Sequence, residues 1–391
     1  MKRRLGFAVA IASLGALGAT ACASIFGFEE LVATPVDAAT PDTGVAADAG
    51  IDAPVPPECL RLGTPDPPAA STESDGGTYV IAASSFDLGL KTDGGGAPTP
   101  VGLNLDLRCT NAPSEGSCTI NNSPSDFDDY TKDKPNGVDN AGFALLSILA
   151  SRYDELSPEK VNARLRAGDF GLVARVERYN GTPNDPDVRV TVQPALGVNP
   201  QPRTTRPKFD GTDEWVTDAR FYSIPDADYP NHVSTRAYVS GGKLVAKFAQ
   251  LQVAVSMPDA AGRPLDILLD DSWVLGDVRL VAGEMYLENG VLAGRWLTKN
   301  LFRSVGELKV DFGLGSGPQI VCQTPTIFDA AFRPPVCNAR DLVGGNQPEL
   351  PCNSISAGFG FTAVPAKATT FTNNPVVVPL PAFVCPENDC K

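Results

Sequence analysis

The sequence predicts a mainly β fold: an antiparallel β-sandwich or barrel-like domain with one or two core or edge helices and a disulfide-rich C-terminal part. Three observations carry this. From Phe170 to Trp296 the apolar residues recur with a period of two, the spacing that places alternate side chains on one face of a strand. Short turn signals such as Ser240-Gly241-Gly242-Lys243 and Asn289-Gly290 separate these runs, as in antiparallel hairpins. Nine cysteines are present, five of them after residue 320, in a chain that opens like an exported protein.

The opening segment is Met1-Lys2-Arg3-Arg4, then a run from Leu5 to Ala21 that is apolar or small apart from Ser13 and Thr20, then Cys22. A basic start, a short apolar stretch and small residues beside a cut site describe a secretory signal. The stretch is shorter than the roughly 20 apolar residues of a spanning helix. Residues 1–21 are therefore expected as signal and 22–57 as a tether. The tether, typified by Ala33-Thr34-Pro35-Val36-Asp37, has no Lys, Arg or aromatic residue from 33 to 57. Proline-rich chain of this kind extends at about 3.1 Å per residue.

The folded part is expected as a mainly β domain, 58–315, and a Cys-rich cap, 316–391, packed on the same domain. Thr78-Tyr79-Val80-Ile81 reads as the first strand and residues 91–100 as a Gly/Pro-rich loop. Val101 to Leu107 alternates like a half-buried strand. A helix is predicted from Asn140 to Tyr153, capped by Asp139. A second starts at Ser157-Pro158, a cap followed by a first-turn proline, and ends at Gly168. Strands follow with Leu172, Ala174 and Val176 on one face and Val188, Val190 and Val192 on another. Asn180-Gly181-Thr182-Pro183 is the turn between them, which also accounts for its match to a glycosylation sequon. Ala237–Val239 and Leu244–Ala246 flank a glycine hairpin, and Leu251, Val253 and Val255 continue it. Val274–Ala282, Met285–Leu287 and Val291–Trp296 complete the set, with a type I′ turn expected at Asn289-Gly290. Leu297 to Val305 reads as a short helix, and Phe359 and Phe361 as one further strand.

Composition narrows function. The net charge is −14, and removal of Lys2, Arg3 and Arg4 makes the remainder more acidic. No basic cluster is present, so nucleic-acid binding is not expected, because phosphate neutralisation dominates that affinity. Besides Cys22 the cysteines are Cys59, Cys109, Cys118, Cys322, Cys337, Cys352, Cys385 and Cys390, an even set expected to form disulfides. Cys109–Cys118 and Cys385–Cys390 are the local pairs expected first. There is no C-x-x-C, and His232 is the only histidine, which argues against a zinc site.

Candidate chemistry is sparse. Asp126, Asp128, Asp129 and Asp133 suggest calcium as the one cofactor to weigh, but an EF-hand loop needs Gly at its sixth position, here Thr131. The other reading of this stretch is a solvated acidic loop. Asp42-Thr43-Gly44 matches an aspartic-protease triplet by letter but sits in the tether without a second copy. His232 lacks a G-x-S-x-G partner and reads as an exposed loop residue. Asp270 and Asp271 beside Trp273 form the most sugar-like grouping, and Trp215 is a second candidate platform for a ligand. Neighbours on a strand point to opposite faces, so Asp270 and Asp271 alone cannot make a hydrolytic pair. The competing reading of the tryptophans is core packing.

Ala19-Thr20-Ala21-Cys22 resembles the lipobox of bacterial lipoproteins. That resemblance implies lipidation of Cys22. With Ala23 rather than Asp after the cysteine, it implies an outer-membrane location. Several further stretches are similar to an uncharacterised family of predicted bacterial lipoproteins: Asn136-Gly-Val-Asp-Asn-Ala141, Tyr179-Asn-Gly-Thr-Pro-Asn-Asp-Pro-Asp-Val188, Ala237-Tyr-Val-Ser-Gly-Gly-Lys-Leu-Val-Ala246, Gly294-Arg-Trp296 and Pro351-Cys-Asn-Ser-Ile-Ser356. The family implies no catalytic residues. The expectation is a lipid-anchored extracytoplasmic lipoprotein with a binding or surface-structural role. Its expected partners are the membrane, through the lipid, and polysaccharide or envelope proteins. The alternative is an extracytoplasmic glycan-active or other hydrolytic enzyme.

Overall fold

The structure, a computed structural model, describes residues 61–69, 76–88, 101–121, 123–199, 205–217, 232–255, 264–310, 317, 319–344, 347, 349–367 and 390. The expected signal and tether, Cys22, Asp42-Thr43-Gly44, Cys59 and Cys385 lie outside these residues.

One large antiparallel sheet dominates. Its strands are β1 (Gly77–Asp87), β2 (Gly171–Tyr179), β3 (Arg189–Val198), β4 (Trp215–Thr217), β5 (Arg236–Ser240), β6 (Lys243–Val255), β7 (Leu265–Val281) and β8 (Glu284–Leu297). β9 (Lys309–Val310) and β10 (Gln319–Ile320) form a separate short pair, and β11 (Ser354–Pro365) returns to the large sheet. The order is β4-β3-β2-β1-β11-β8-β7-β6-β5. The Cys-rich segment thus supplies β11, which lies in the middle of the sheet between β1 and β8.

The sheet closes on itself. β5 and the segment leading into it pair with the start of β3 and the segment before it: Asp185 and Val239 exchange N–H···O bonds at 2.8 Å, Ser234 N donates to Val190 O at 2.7 Å, and Val192 N donates to His232 O at 2.9 Å. β4 pairs with the far end of β3, at Ala195 and Val198. Eight strands therefore form a barrel, with β4 appended. Closure removes the open edges on which a sheet of this size would otherwise associate. Inside, Ile81, Leu172, Val190, Leu244, Val274 and Phe361 meet around a void of only about 20 Å³, so the interior is a packed core rather than a channel.

The turns show how sequence sets the register. At Ser240–Lys243 the central glycines have φ of 58° and 79°, as a two-residue type I′ hairpin needs. The β7–β8 hairpin does not turn at Asn289-Gly290, as expected, but at Ala282-Gly283, with φ of 53° and 86°. Asn289-Gly290 lies inside β8, which is one strand rather than two. Asn289 takes φ 49° at a register shift opposite Leu275–Asp277. Asn-Gly supplies positive φ to a bulge as readily as to a turn. Gly290 is also required because an added Cβ would sit 2.6 Å from Phe361 O.

Helix α1 (Ala141–Arg152) is capped by Asn140, whose Oδ1 accepts from Phe143 N at 3.0 Å, and not by Asp139. α2 (Pro158–Ala167) has the expected Ser157 cap, Pro158 first turn and left-handed Gly168 (φ 79°). Its Asn162 holds the end of β1 through Phe86 N and O at 2.8 and 2.6 Å. α3 (Thr298–Gly306) packs on β7 and β8, and its Phe302 stacks with Phe328 and Phe332 ahead of α4 (Arg333–Asn338). Among the described residues no helix is long and apolar enough to cross a membrane.

Cys118 bonds Cys352 and Cys337 bonds Cys390. The expected local pairs Cys109–Cys118 and Cys385–Cys390 are therefore wrong. Cys109 and Cys322 are also disulfide-bonded. Folding, not sequence spacing, decides which cysteines meet: Cys352 immediately precedes β11, which the sheet carries to the segment of Cys118.

Candidate functional site

Val101 to Leu107 is not a strand. Among the described residues it has no ladder partner beyond a single bridge, Leu103 to Asp139. Instead it folds around buried polar groups. Asn104 Oδ1 accepts from Arg108 N at 3.1 Å, and Asn104 Nδ2 donates to Arg108 O at 2.9 Å. Asp139 Oδ2 accepts from Leu105 N at 2.6 Å and Asp106 N at 3.2 Å. Asp139 is thus a loop anchor, which is why the helix cap falls to Asn140. Leu107 stands at the crest of the loop with φ 59° and is 48% exposed.

This loop forms one side of a cleft of 280 Å³ on the barrel's outer wall. The size is just below the roughly 300–1,000 Å³ usual for ligand sites. Leu62, Leu105 and Leu107 give apolar surface on the loop side, and Leu342 and Val343 line it further. The barrel contributes Lys247 from β6, Asp271 and Trp273 from β7, and Arg295 from β8. Asp106 and Ser117 complete it.

A bulge aims the β7 residues. Asp270 pairs with Arg295 but Trp273 pairs with Ala293, so β7 carries one residue more than β8 across this interval. Asp271 takes φ 44° there and forms an ion pair with Arg295. Trp273 is half-buried, and Lys247, its cross-strand partner, places Nζ 5.2 Å from the ring centroid, a cation–π contact. Asp270 leaves this group: its Oδ1 accepts from Gln250 Nε2 at 2.9 Å.

Of the expected ligand residues, the cleft unites Trp273 and Asp271. Asp270 does not line it. Trp215 is core, 1% exposed, with Phe209 at 5.9 Å, and its ring fills the space an added Cβ on Gly171 would need. Lys247, Arg295, Asp106 and Ser117 escaped the sequence reading. The β6 and β8 residues could have been found by writing out the register, which sets Lys247 opposite Trp273. The loop residues could not, because no local pattern joins residue 106 to residue 271.

Against the cleft lies a group of four carboxyls: Asp106, which lines it, the half-buried Asp133, and the buried Asp139 and Asp341. Asp133 Oδ2 accepts from Thr110 N at 2.6 Å, and its carboxyl adjoins that of Asp139. Asp341 Oδ1 accepts from Ser356 N at 2.7 Å, and Ser356 Oγ donates to Asp341 Oδ2. Burial pushes the Asp133 carboxyl up to about 7 and that of Asp341 up to about 8. Burial, and then the neighbouring acids, hold Asp139 well above the ordinary carboxyl range. Burial also raises Asp106, against the opposing pull of the Arg108 backbone.

The expected calcium group does not assemble. Asp126 Oδ2 accepts from Ser123 Oγ at 2.6 Å and Asn338 Nδ2 at 3.0 Å, Asp128 lies 3.6 Å from Lys132, and Asp133 turns inward to Thr110. The side chain of Asp129 lies outside those described. Among the described residues no three Asp, Glu, His or Cys side chains are arranged to hold a metal ion. His232 is not an exposed loop residue. It is 5% exposed, its Nδ1 lies 3.2 Å from Gln250 O, and burial lowers its pKa.

No family model, curated protein or solved structure matches the chain.

Proposed function

We propose that this chain is a lipid-anchored extracytoplasmic binding protein of the bacterial outer membrane, and that its cleft takes a saccharide unit of an envelope or extracellular polysaccharide. The observation that carries this reading is the convergence of Trp273, Asp271, Arg295 and Asp106 on one cleft of 280 Å³. A half-exposed indole offers a flat apolar face to the C–H face of a pyranose. The Asp271–Arg295 pair and the Asp106 carboxyl offer donors and acceptors at the ring's edge. The Cys118–Cys352 and Cys337–Cys390 bonds accord with an oxidising compartment. The segment ending in Cys22 accords with a lipid anchor.

Two measurements test it. Intact mass of the N-terminal peptide from the native host should show Cys22 as the first residue and acylated; an unprocessed N-terminus would overturn the anchor. Titration of the full-length chain with chitotriose, cellotriose, maltotriose and a muropeptide should give saturable binding to at least one, lost in W273A. A hydrolytic second reading draws on one observation, that Asp106 and Asp271 line the same cleft. It requires product release from a bound oligosaccharide, abolished in D106N and in D271N. Binding without product supports the non-catalytic role.

A further inference from the structure

The charges around Trp273 are unevenly matched. Lys247 makes no ion pair and no side-chain hydrogen bond among the described residues, and its Nζ stands 5.2 Å from the Trp273 ring centroid. Arg236 is its direct partner across β5 and β6 and rests over Tyr238, 5.6 Å from that ring. Two like charges set opposite one another weaken a sheet, so the pair stands at a cost that a bound anion would relieve. Arg295 donates from Nη2 to Asp271, and among the described residues its Nε and Nη1 donate to no group. Nη1 lies beside Gly344, next to the Leu342–Val343 wall of the cleft: a Cβ added there would be 3.1 Å from it.

The two acids of the cleft are already engaged. Asp271 is the partner of Arg295. Asp106 serves its own loop: Oδ1 accepts from Arg108 N at 2.9 Å, and the Arg108 charge adjoins it. The unused hydrogen-bonding capacity beside Trp273 is therefore that of donors, and the charge left over there is positive, in a chain whose net charge is −14. A flat apolar face with cationic donors at its edge suits a ring that carries an anionic acceptor. A carboxylate matches it best, because the guanidinium presents paired N–H groups in one plane to two oxygens.

We propose that the saccharide taken by this cleft is an acidic one, a uronic acid, whose ring lies against Trp273 and whose carboxylate is held by Arg295 and Lys247. This rests on the saccharide reading above and gives it a substrate class. Asp271 has two opposed effects in such a site. It orients the guanidinium, and its own charge opposes that of the ligand. Asn at this position keeps an oxygen for Arg295 and tolerates the φ of 44°, so D271N separates the two.

Calorimetric titration of the full-length chain at neutral pH tests the proposal. The probes are trigalacturonic acid, an alginate trisaccharide and a hyaluronan tetrasaccharide, each against its methyl ester, which keeps the ring and removes the charge. At least one acid should bind about tenfold more tightly than its ester, the effect expected of hydrogen bonds to a charged group. K247M and R295Q should each reduce the acid towards the ester and leave the ester little changed, while D271N should bind the acid more tightly than wild type. Added salt should weaken the acid and spare the ester, a readout that needs no variant if R295Q does not fold. Equal affinities for acid and ester, an acid preference untouched by K247M and by salt, or weaker acid binding in D271N would each overturn the proposal. Sulfated maltotriose bound as tightly as the best uronide would overturn the carboxylate as the group recognised. Neutral trisaccharides that bind while no acid binds more tightly sink this inference and leave saccharide binding standing; if no saccharide of either kind binds, the saccharide reading fails and this falls with it.

Discussion

Replacing Asp341 by Asn should make the protein more stable in alkaline medium while changing little in acid. Asp341 is buried among other acids, and its carboxyl titrates at about 8 instead of 3.8. A group with a raised pKa in the folded state binds its proton more tightly there than in the unfolded chain. Its contribution is therefore fully present below about 3.8, is lost steadily as pH rises, and is gone above about 8. A displacement of that size corresponds to roughly 6 kcal/mol between the two protonation states as a ceiling. Relaxation of the site and proton sharing with its neighbours lower the usable part to about 2–4 kcal/mol. The amide of Asn keeps an acceptor for Ser356 N, so the bonding in acid is largely retained. Urea unfolding with disulfides intact, at about pH 3.5 and about pH 9, reads the effect directly. The expected result is similar midpoints at the lower pH and a higher midpoint for the variant at the upper one. Equal midpoints at both, or a less stable variant in alkali, would refute the claim that this carboxyl is held neutral by burial.

Other outcomes follow from the same structure. W215A should cost about 3–5 kcal/mol, as a buried indole removed from a core does, whereas W273A should cost markedly less and act on ligand binding; equal losses in thermal melts would contradict the assignment of one to core and one to cleft. C118S should lower stability by about 2–5 kcal/mol and leave Cys352 titratable with a thiol reagent; if instead Cys109 becomes reactive, the 118–352 connectivity is wrong. G290A should destabilise the barrel strongly, since its Cβ would meet Phe361 O at 2.6 Å, while G241A, with open space around it, should cost only the strain of its positive φ; reversed effects would remove the bulge from its place in β8. Burial lowers the His232 pKa, so stability is fully present above about 6.5 and declines as pH falls below it; H232Q should flatten that decline.

Much of the fold was legible because its signals are local. The glycine hairpin at residues 240–243, the Ser157-Pro158 helix start with Gly168 as its stop, and the alternating runs of β2 and β3 are each specified by neighbours in sequence. Val188 and Val190 read as one buried face and are one. The errors came where two local structures share one signal, as at Asn289-Gly290, or where a partner is remote in sequence. Val101–Leu107 alternates like a strand, yet among the described residues no strand edge is offered to it, and Asp139 captures the Leu105 and Asp106 amides instead. The disulfides failed for the same reason: Cys118 and Cys352 are 234 residues apart. Within the cleft, Trp273 and Asp271 were visible as an acid beside an aromatic residue. Asp106 was not, because its role arises only when the 103–110 loop is folded against β7. Asp139 was seen as a helix cap and Asp133 as an exposed acid. Asp139 is buried beside Asp341, which lies about 200 residues later.

The measurement that bears most directly on the binding role is a saccharide titration of full-length chain carrying ¹⁵N-labelled tryptophan, followed through the three indole N–H resonances. The account predicts that the Trp273 resonance moves saturably with chitotriose, cellotriose, maltotriose or a muropeptide while those of Trp215 and Trp296 stay in place. If all three resonances remain unmoved across the panel, or the buried pair moves and Trp273 does not, the cleft is not a saccharide site.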